Sequence, residues 1–295
     1  MQDISFSTYF SPKGHEQLIQ SIQLALDEDG PDLTAEGVFS PQAPMHATIR
    51  AKEASLVVGL PLIPLVFEVL GEHCHWQPVV AEGSAVPAMT EVARIHATAR
   101  AVLKAERVIL NFITHLSGIA NLTQRYVHEL EGTTVRLLDT RKTTPCLRWV
   151  EKYAVAMGGG GNHRRDLAEM LMLKDNHIDA AGSITAAVAA LRHAYAPCPP
   201  IEVECRSLDD VREAVACGAD RIMMDNMNAQ QLDAALPLVP SSIEAEISGG
   251  VRLETIRALA LCGKQRRANF ISVGRLTHSA VAADFSMTLT AAPKR

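Results

Sequence analysis

The sequence predicts an α/β protein whose larger part is an α/β barrel, and three observations carry that expectation. Short β-rich runs at residues 135–138, 170–173, 201–203, 222–224, 243–245 and 270–273 are too apolar to leave one face wet, as in a sheet covered on both sides. Helical segments at 208–217 and 253–262 separate members of the last four, and the order strand, helix, strand implies parallel pairing through crossover helices. Two passages also open alike, Ile201-Glu202-Val203-Glu204 and Ile243-Glu244-Ala245-Glu246, as repeated units of one sheet would.

Earlier in the chain the periodicity differs. Residues 15–27 place Leu18, Ile19, Ile22 and Leu26 on one helical face, and 61–70 predict a second helix. Ala47, Ile49 and Ala51 alternate with Thr48, Arg50 and Lys52, while Ala93, Ile95 and Ala97 alternate with Arg94 and His96, which predicts an antiparallel sheet with one wet face. Over 99–130, Leu103, Leu110, Ile113 and Leu116 recur at helical steps, so this stretch is expected to connect two domains, broken in two at Gly118.

Composition narrows the function. The chain has 295 residues, 47% of them hydrophobic, enough to bury one large core or two modest ones. A net charge of −5, from 28 basic and 33 acidic side chains, argues against a protein held to nucleic acid or a membrane surface by a general positive field. Its 6 cysteines form no C-x-x-C pair, and Met1-Gln2-Asp3-Ile4 lacks the character of a secretory signal, so reduced thiols in a cytoplasm are expected. No apolar run approaches the roughly 20 residues needed to cross a bilayer.

The strand ends point to chemistry. The β-rich runs finish in turn at Asp139-Thr140-Arg141, Lys174, Glu204, Asp225-Asn226, Ser248-Gly249-Gly250 and Gly274, and in a barrel these C-terminal ends converge on one mouth. Arg141 offers a planar fork and Lys142 a mobile point charge, a pair suited to a ligand with carboxylate and phosphate groups. The glycine run Gly158–Gly161 leads into Asn162-His163-Arg164 and is expected to bring backbone close to a ligand and aim two cationic side chains at it. Lys174 ends an apolar run, so it must reach solvent, find an anion or serve as a Schiff-base amine. Glu204 and Asp225 suit Mg²⁺ bridging or recognition of ribose hydroxyls, or else salt bridges to the same cations. Ser248-Gly249-Gly250 and Ser272-Val273-Gly274 are expected to hold phosphate through backbone N–H groups. His73-Cys74-His75 has metal-ligand residue types, but neighbours on a strand point to opposite faces, and a structural role is expected.

Taken in order, these motifs resemble quinolinate phosphoribosyltransferase, a family also called carboxylating nicotinate-nucleotide pyrophosphorylase. The resemblance runs from Ala105-Glu106-Arg107 through Asp139-Thr140-Arg141-Lys142-Thr143-Thr144-Pro145, Asn162-His163-Arg164, Lys174-Asp175-Asn176-His177, Glu202-Val203-Glu204 and Met224-Asp225-Asn226 to Ser248-Gly249-Gly250 and Ile271-Ser272-Val273-Gly274. It implies an N-terminal α/β sandwich domain over 1–115, a C-terminal α/β barrel over 116–275, and a tail over 276–295 that packs on the first domain. It also implies a homodimer with a shared active site. Arg107 would come from the partner subunit, while Arg141, His163, Arg164 and Lys174 surround quinolinate. Thr140 joins the substrate-binding set, and Lys142, Glu204 and Asp225 handle phosphoribosyl pyrophosphate and its Mg²⁺. Lys142, Lys174, Glu204 and Asp225 carry the catalytic expectation. The 5-phosphate would sit on the turns containing Ser248, Gly249, Gly250, Ser272 and Gly274. A related molybdenum-transport-associated family shares the Thr-Arg-Lys segment but differs at Lys-Asp-Asn-His. Cys146 stands where that pattern has glycine, so its turn is expected to be shaped differently, and residues 264–269 are more basic than usual.

Overall fold

Burial alternates along the strand β1 (Pro44–Ala51), where Met45, Ala47, Ile49 and Ala51 are buried and the residues between them are not, so the one-wet-face pattern survives folding. The computed structural model describes residues 4–291. After β1 come β2 (Ser55–Leu56), β3 (His75–Pro78), β4 (Ala85–Val86) and β5 (Glu91–Thr98). β1 pairs antiparallel with β5, β5 with β3, and β2 with β4. The predicted helices form at Pro12–Glu28 and Leu62–Val69. Ser11 starts the first by accepting the Gly14 N–H at 3.1 Å, with proline in its first turn, and Leu18, Ile22 and Leu26 form its buried stripe.

The long helix runs unbroken from Ala99 to Glu129, contrary to the break expected at Gly118. Gly118 is there for space, since a Cβ on it would lie 2.2 Å from the Val281 carbonyl oxygen. Intrahelical hydrogen bonds carry the helix through this point; glycine's cost of about 1 kcal/mol relative to alanine is too small to break it.

The second half provides β6 (Arg136–Leu138), β7 (Leu171–Leu173), β8 (Ile201–Cys205), β9 (Arg221–Asp225), β10 (Glu244–Ser248) and β11 (Phe270–Ser272). All pair in parallel, in the order β6-β11-β10-β9-β8-β7, the sheet of an α/β barrel. Crossover helices include Ile184–Ala194, Leu208–Ala216, Ala229–Ala235 and Leu253–Ala260. The first three begin at side-chain caps from Ser183, Ser207 and Asn228. The basic stretch 264–269 is structural: Arg266 donates to the Ile243 carbonyl at 3.0 Å and to Asn269 at 2.7 Å, and Arg267 to the Cys262 carbonyl at 2.9 Å.

A final strand, β12 (Phe285–Ala291), runs antiparallel to β1, placing the end of the described chain on the first sheet. Two units result. One contains the described residues through Thr123, the segment Thr143–Gly159 and the described residues from Thr277; the other is Gln124–Lys142 with Gly160–Leu276. The Thr-Arg-Lys-Thr-Thr-Pro motif is therefore divided after Lys142.

Gly118→Ala forces its methyl group into the Val281 backbone, an overpacking that costs about 1–3 kcal/mol. Thermal unfolding of the variant should begin several degrees below the parent, and an unchanged melting temperature would remove this account of the glycine.

Candidate active site

The site in the barrel unit begins with a buried carboxylate. Asp139, fully buried just past β6, accepts the His163 backbone N–H at 2.7 Å and the Asn162 side-chain amide at 2.9 Å. Gly161 forms a parallel bridge to Leu138, so the chain after the glycine run lies along β6. A Cβ at Gly161 would meet the Leu138 side chain at 2.9 Å, and one at Gly158 the Ala120 carbonyl at 2.6 Å. Among these glycines, the close approach expected to a ligand is thus an approach to other parts of the chain itself.

His163 also lies differently from expectation. Its side chain is 4% exposed and faces inward, its Nε2 lying 3.1 Å from Glu202 and 3.6 Å from Glu246. Nδ1 accepts the Arg164 backbone N–H at 2.8 Å, which keeps the imidazole proton on Nε2, toward the carboxyl groups. The ligand atoms of His163, Glu202 and Glu246 lie within 4.8 Å of one another, but a metal ion bound at Nε2 would need the proton moved onto Nδ1, where Arg164 already donates. Burial pushes both glutamates up to about 7; Arg221 and Arg164 partly offset this at Glu202, whereas the Glu202 charge adds to it at Glu246. Arg164 is nearly buried and donates to the Met170 carbonyl at 2.8 Å; burial, then the neighbouring Arg141, lowers its proton affinity. Two arginines facing one another in this way are suited to an anion between them.

At the strand ends, Lys174 Nζ lies 2.9 Å from Glu204. Its side chain is 47% exposed, so it is neither desolvated nor left without a counter-ion, the conditions that activate a Schiff-base lysine. Asp225 ends the neighbouring strand β9, its pKa raised by burial and then by the Glu204 charge, with opposing contributions from Asn226, Lys142 and Lys174. Asn226 holds Asp225 through a 2.6 Å hydrogen bond and adopts φ +55. Gly249, at φ +87, has no room for a Cβ, which would fall 2.4 Å from the Asn226 side-chain oxygen. Ser248 and Ser272 end adjacent strands with their hydroxyls 3.0 Å apart. Thr140 Oγ1 accepts the Lys142 N–H at 3.0 Å, shaping the turn that carries Arg141, and Gly274 immediately precedes the helix Arg275–His278.

The barrel unit thus brings Lys142, Lys174, Glu204 and Asp225 together at the strand ends, and sets Arg164 within the influence of Arg141. Arg107 belongs to the other unit. There it lines a groove of about 690 Å³ with Asn111, His115, Thr144 and Cys146. Buried Glu151 organises that groove by accepting from the Thr144 N–H at 3.0 Å and meeting His115 at 2.8 Å. Cys146 takes φ +67, a left-handed conformation natural to glycine, so the turn keeps a glycine-like shape and not the different one expected. Sequence reasoning passed over the roles of Asp139, Asn226, Glu202 and Glu246. The period-two spacing of Glu202 with Glu204, and of Glu246 with Ser248, already puts each pair on one face of its strand.

Comparison with known proteins divides the chain near residue 118, and the C-terminal match takes in Thr143–Gly159, which belongs to the first unit. Residues 32–117 match the N-terminal domain, and 119–288 the C-terminal domain, of quinolinate phosphoribosyl transferase. A Bacillus subtilis (strain 168) protein is 41% identical over 88% of each chain. The human carboxylating nicotinate-nucleotide pyrophosphorylase is 36% identical over 90% of this chain and 89% of its own. The crystal structure of NadC from Streptococcus pyogenes superposes with a TM-score of 0.86 at 37% identity, covering 96% of this chain and all of the other.

Asp139→Ala leaves the buried His163 N–H without its acceptor, at a cost of about 1–3 kcal/mol. Backbone amides of 161–165 should exchange hydrogen markedly faster in the variant; protection equal to the parent would show that Asp139 does not hold this segment.

Proposed function

The chain belongs to the quinolinate phosphoribosyltransferase family, transferring phosphoribosyl from phosphoribosyl pyrophosphate to quinolinate with decarboxylation in NAD biosynthesis, and we propose that the barrel residues described above carry out this reaction. The observation that carries the assignment of roles is the grouping of Lys174, Glu204 and Asp225 on successive strand ends, with Lys142 close enough to influence Asp225.

Arg141, Arg164 and Lys174 bind the two carboxylates of quinolinate. Each charge-assisted hydrogen bond contributes about 1.5–3 kcal/mol, so several cations are proportionate to holding one dicarboxylate against water. His163, with its proton on Nε2 inside the barrel, positions Arg164 through the backbone bond to Nδ1. The quinolinate ring nitrogen attacks C1 of the ribose as the bond to pyrophosphate breaks, through a transition state with oxocarbenium character. Lys142 neutralises charge on the departing pyrophosphate. The carboxylate beside the now quaternary nitrogen leaves as CO₂; the pyridinium takes up the electron pair, and a proton then completes nicotinate mononucleotide. Lys174 also holds Glu204 in place, and Asn226 holds Asp225.

The oxygen donors of Glu204 and Asp225 lie on adjacent strands, with burial and then the Glu204 charge raising the Asp225 pKa, and fit Mg²⁺, either directly or through water. When bound there, the ion supplies charge neutralisation for the pyrophosphate. The 5-phosphate sits against the Ser248-Gly249-Gly250 and Ser272-Val273-Gly274 turns. The protein is a homodimer in which Arg107 of the partner subunit completes the quinolinate site; its position outside the barrel unit supports that role. Six free thiols support a cytoplasmic setting, and among the described residues no helix is long and apolar enough to cross a membrane.

Arg141→Ala and Lys174→Ala should each lower nicotinate mononucleotide formation by at least about tenfold per lost charge-assisted bond, with the fold retained. Turnover at the parent rate in either variant would overturn the assignment. Removing divalent cations with a chelator should stop pyrophosphate release, and Mg²⁺ should restore it. Mixing Arg107→Ala with Lys174→Ala should regain activity through hybrid dimers; no regain after demonstrated subunit exchange would rule out the shared site.

A further inference from the structure

The triplet His73-Cys74-His75 gains partners once the strands pair. Along β3 exposure alternates, with His75 and Gln77 outward and Trp76 half-buried between them. His75 stands opposite His96 of β5, and His96 stands opposite His46 of β1. Residues directly opposite one another on antiparallel strands project from the same face, so three imidazoles form one row across three adjacent strands. All three are exposed, and His46 and His96 already touch, their ring centroids 4.4 Å apart.

We propose that His46, His96 and His75 form a surface site for a divalent transition metal ion of the Zn²⁺ class, separate from the Mg²⁺ site in the barrel. Residue type and spacing both suit this. Imidazole nitrogen is a favoured ligand of Zn²⁺, Ni²⁺ and Cu²⁺, whereas Mg²⁺ takes oxygen. Opposed residues have Cβ atoms about 4.5–5.5 Å apart. Two nitrogens held at about 2.0–2.1 Å from one tetrahedral Zn²⁺ stand about 3.4 Å from each other, so neighbouring imidazoles need only tilt together. His46 and His75 flank His96 at one strand spacing on either side and can lean over it from opposite directions. Three nitrogens leave the fourth position to water.

As they stand, the His46 and His96 rings are stacked at 29° and the three do not converge; among the described residues only His163, Glu202 and Glu246 do. Exposed side chains change rotamer within nanoseconds, so turning the rings is a small obstacle. The surrounding charge does not oppose a cation. The next row along the face is Thr48, Arg94 and Gln77, and the charge of Arg94 is offset by its ion pair with Glu91. The consequence falls on β3, a four-residue strand at the end of the sheet order β12-β1-β5-β3, which the ion would clip to β5 and β1.

The test titrates Zn²⁺ calorimetrically into the full chain in the presence of excess Mg²⁺. It compares the parent with His46→Gln, His96→Gln and His75→Gln, and with His128→Ala as a control at an exposed histidine of the long helix. Thermal unfolding without zinc checks that each variant is folded. Ligands fixed on one sheet act at high effective concentration, so each glutamine variant should bind Zn²⁺ at least about tenfold more weakly than the parent, and His128→Ala should match the parent. Zinc should also slow amide hydrogen exchange across β3 in the parent but not in His75→Gln. Parent affinity retained in His96→Gln, or an equal loss in His128→Ala, would overturn the site. Parent affinity retained in His75→Gln, or β3 exchange that zinc leaves unchanged in the parent, would overturn the three-strand clip.

Discussion

The hydrogen bonds accepted by Asp139 are the constraint on which much of the barrel site depends. A buried carboxylate is tolerated only when donors surround it, and here the backbone of His163 and the amide of Asn162 supply them. The same bonds fix where the chain runs after the glycine run, with Arg164 directly following His163. The tautomer of His163 is then determined by its neighbour's N–H, and the imidazole proton can point only at the interior glutamates. One carboxylate at a strand end thereby sets the course of the chain into a cation one residue beyond the backbone it grips.

How much of this was readable from the chain follows the range of the interactions. The strands and their polar ends were legible because period-two alternation and runs without a wet face are local signals, and Lys174, Glu204 and Asp225 fall at strand ends for that reason. The opening helix was legible through its stripe of Leu18, Ile22 and Leu26. Gly118 was misread because its purpose lies at Val281, far along the chain, and a helix pattern does not reveal what packs against it. The glycine run deceived in the same way: its missing side chains make room for Ala120 and Leu138.

His163 illustrates a further limit. Its place between asparagine and arginine suggested a side chain directed at ligand, yet its partners, Glu202 and Glu246, come from strands separated by β9. Alternation put each glutamate on the right face, but which groups meet inside a parallel sheet is decided by strand order. Cys146 shows the opposite case: a residue other than glycine takes the left-handed conformation that glycine adopts freely, in a turn anchored by Glu151 through Thr144.

The pairing of β12 with β1 also bears on how the chain is made. Synthesis proceeds from the N-terminus, so β1 and β5 leave the ribosome long before Phe285–Ala291 exists, while the barrel unit, ending at Leu276, is already available to fold. The unit begun first is the last to be finished. In the interval one edge of β1 has unpaired backbone donors and acceptors, the kind of surface that invites pairing with another nascent chain, and its protection then falls to folding helpers or to speed of translation.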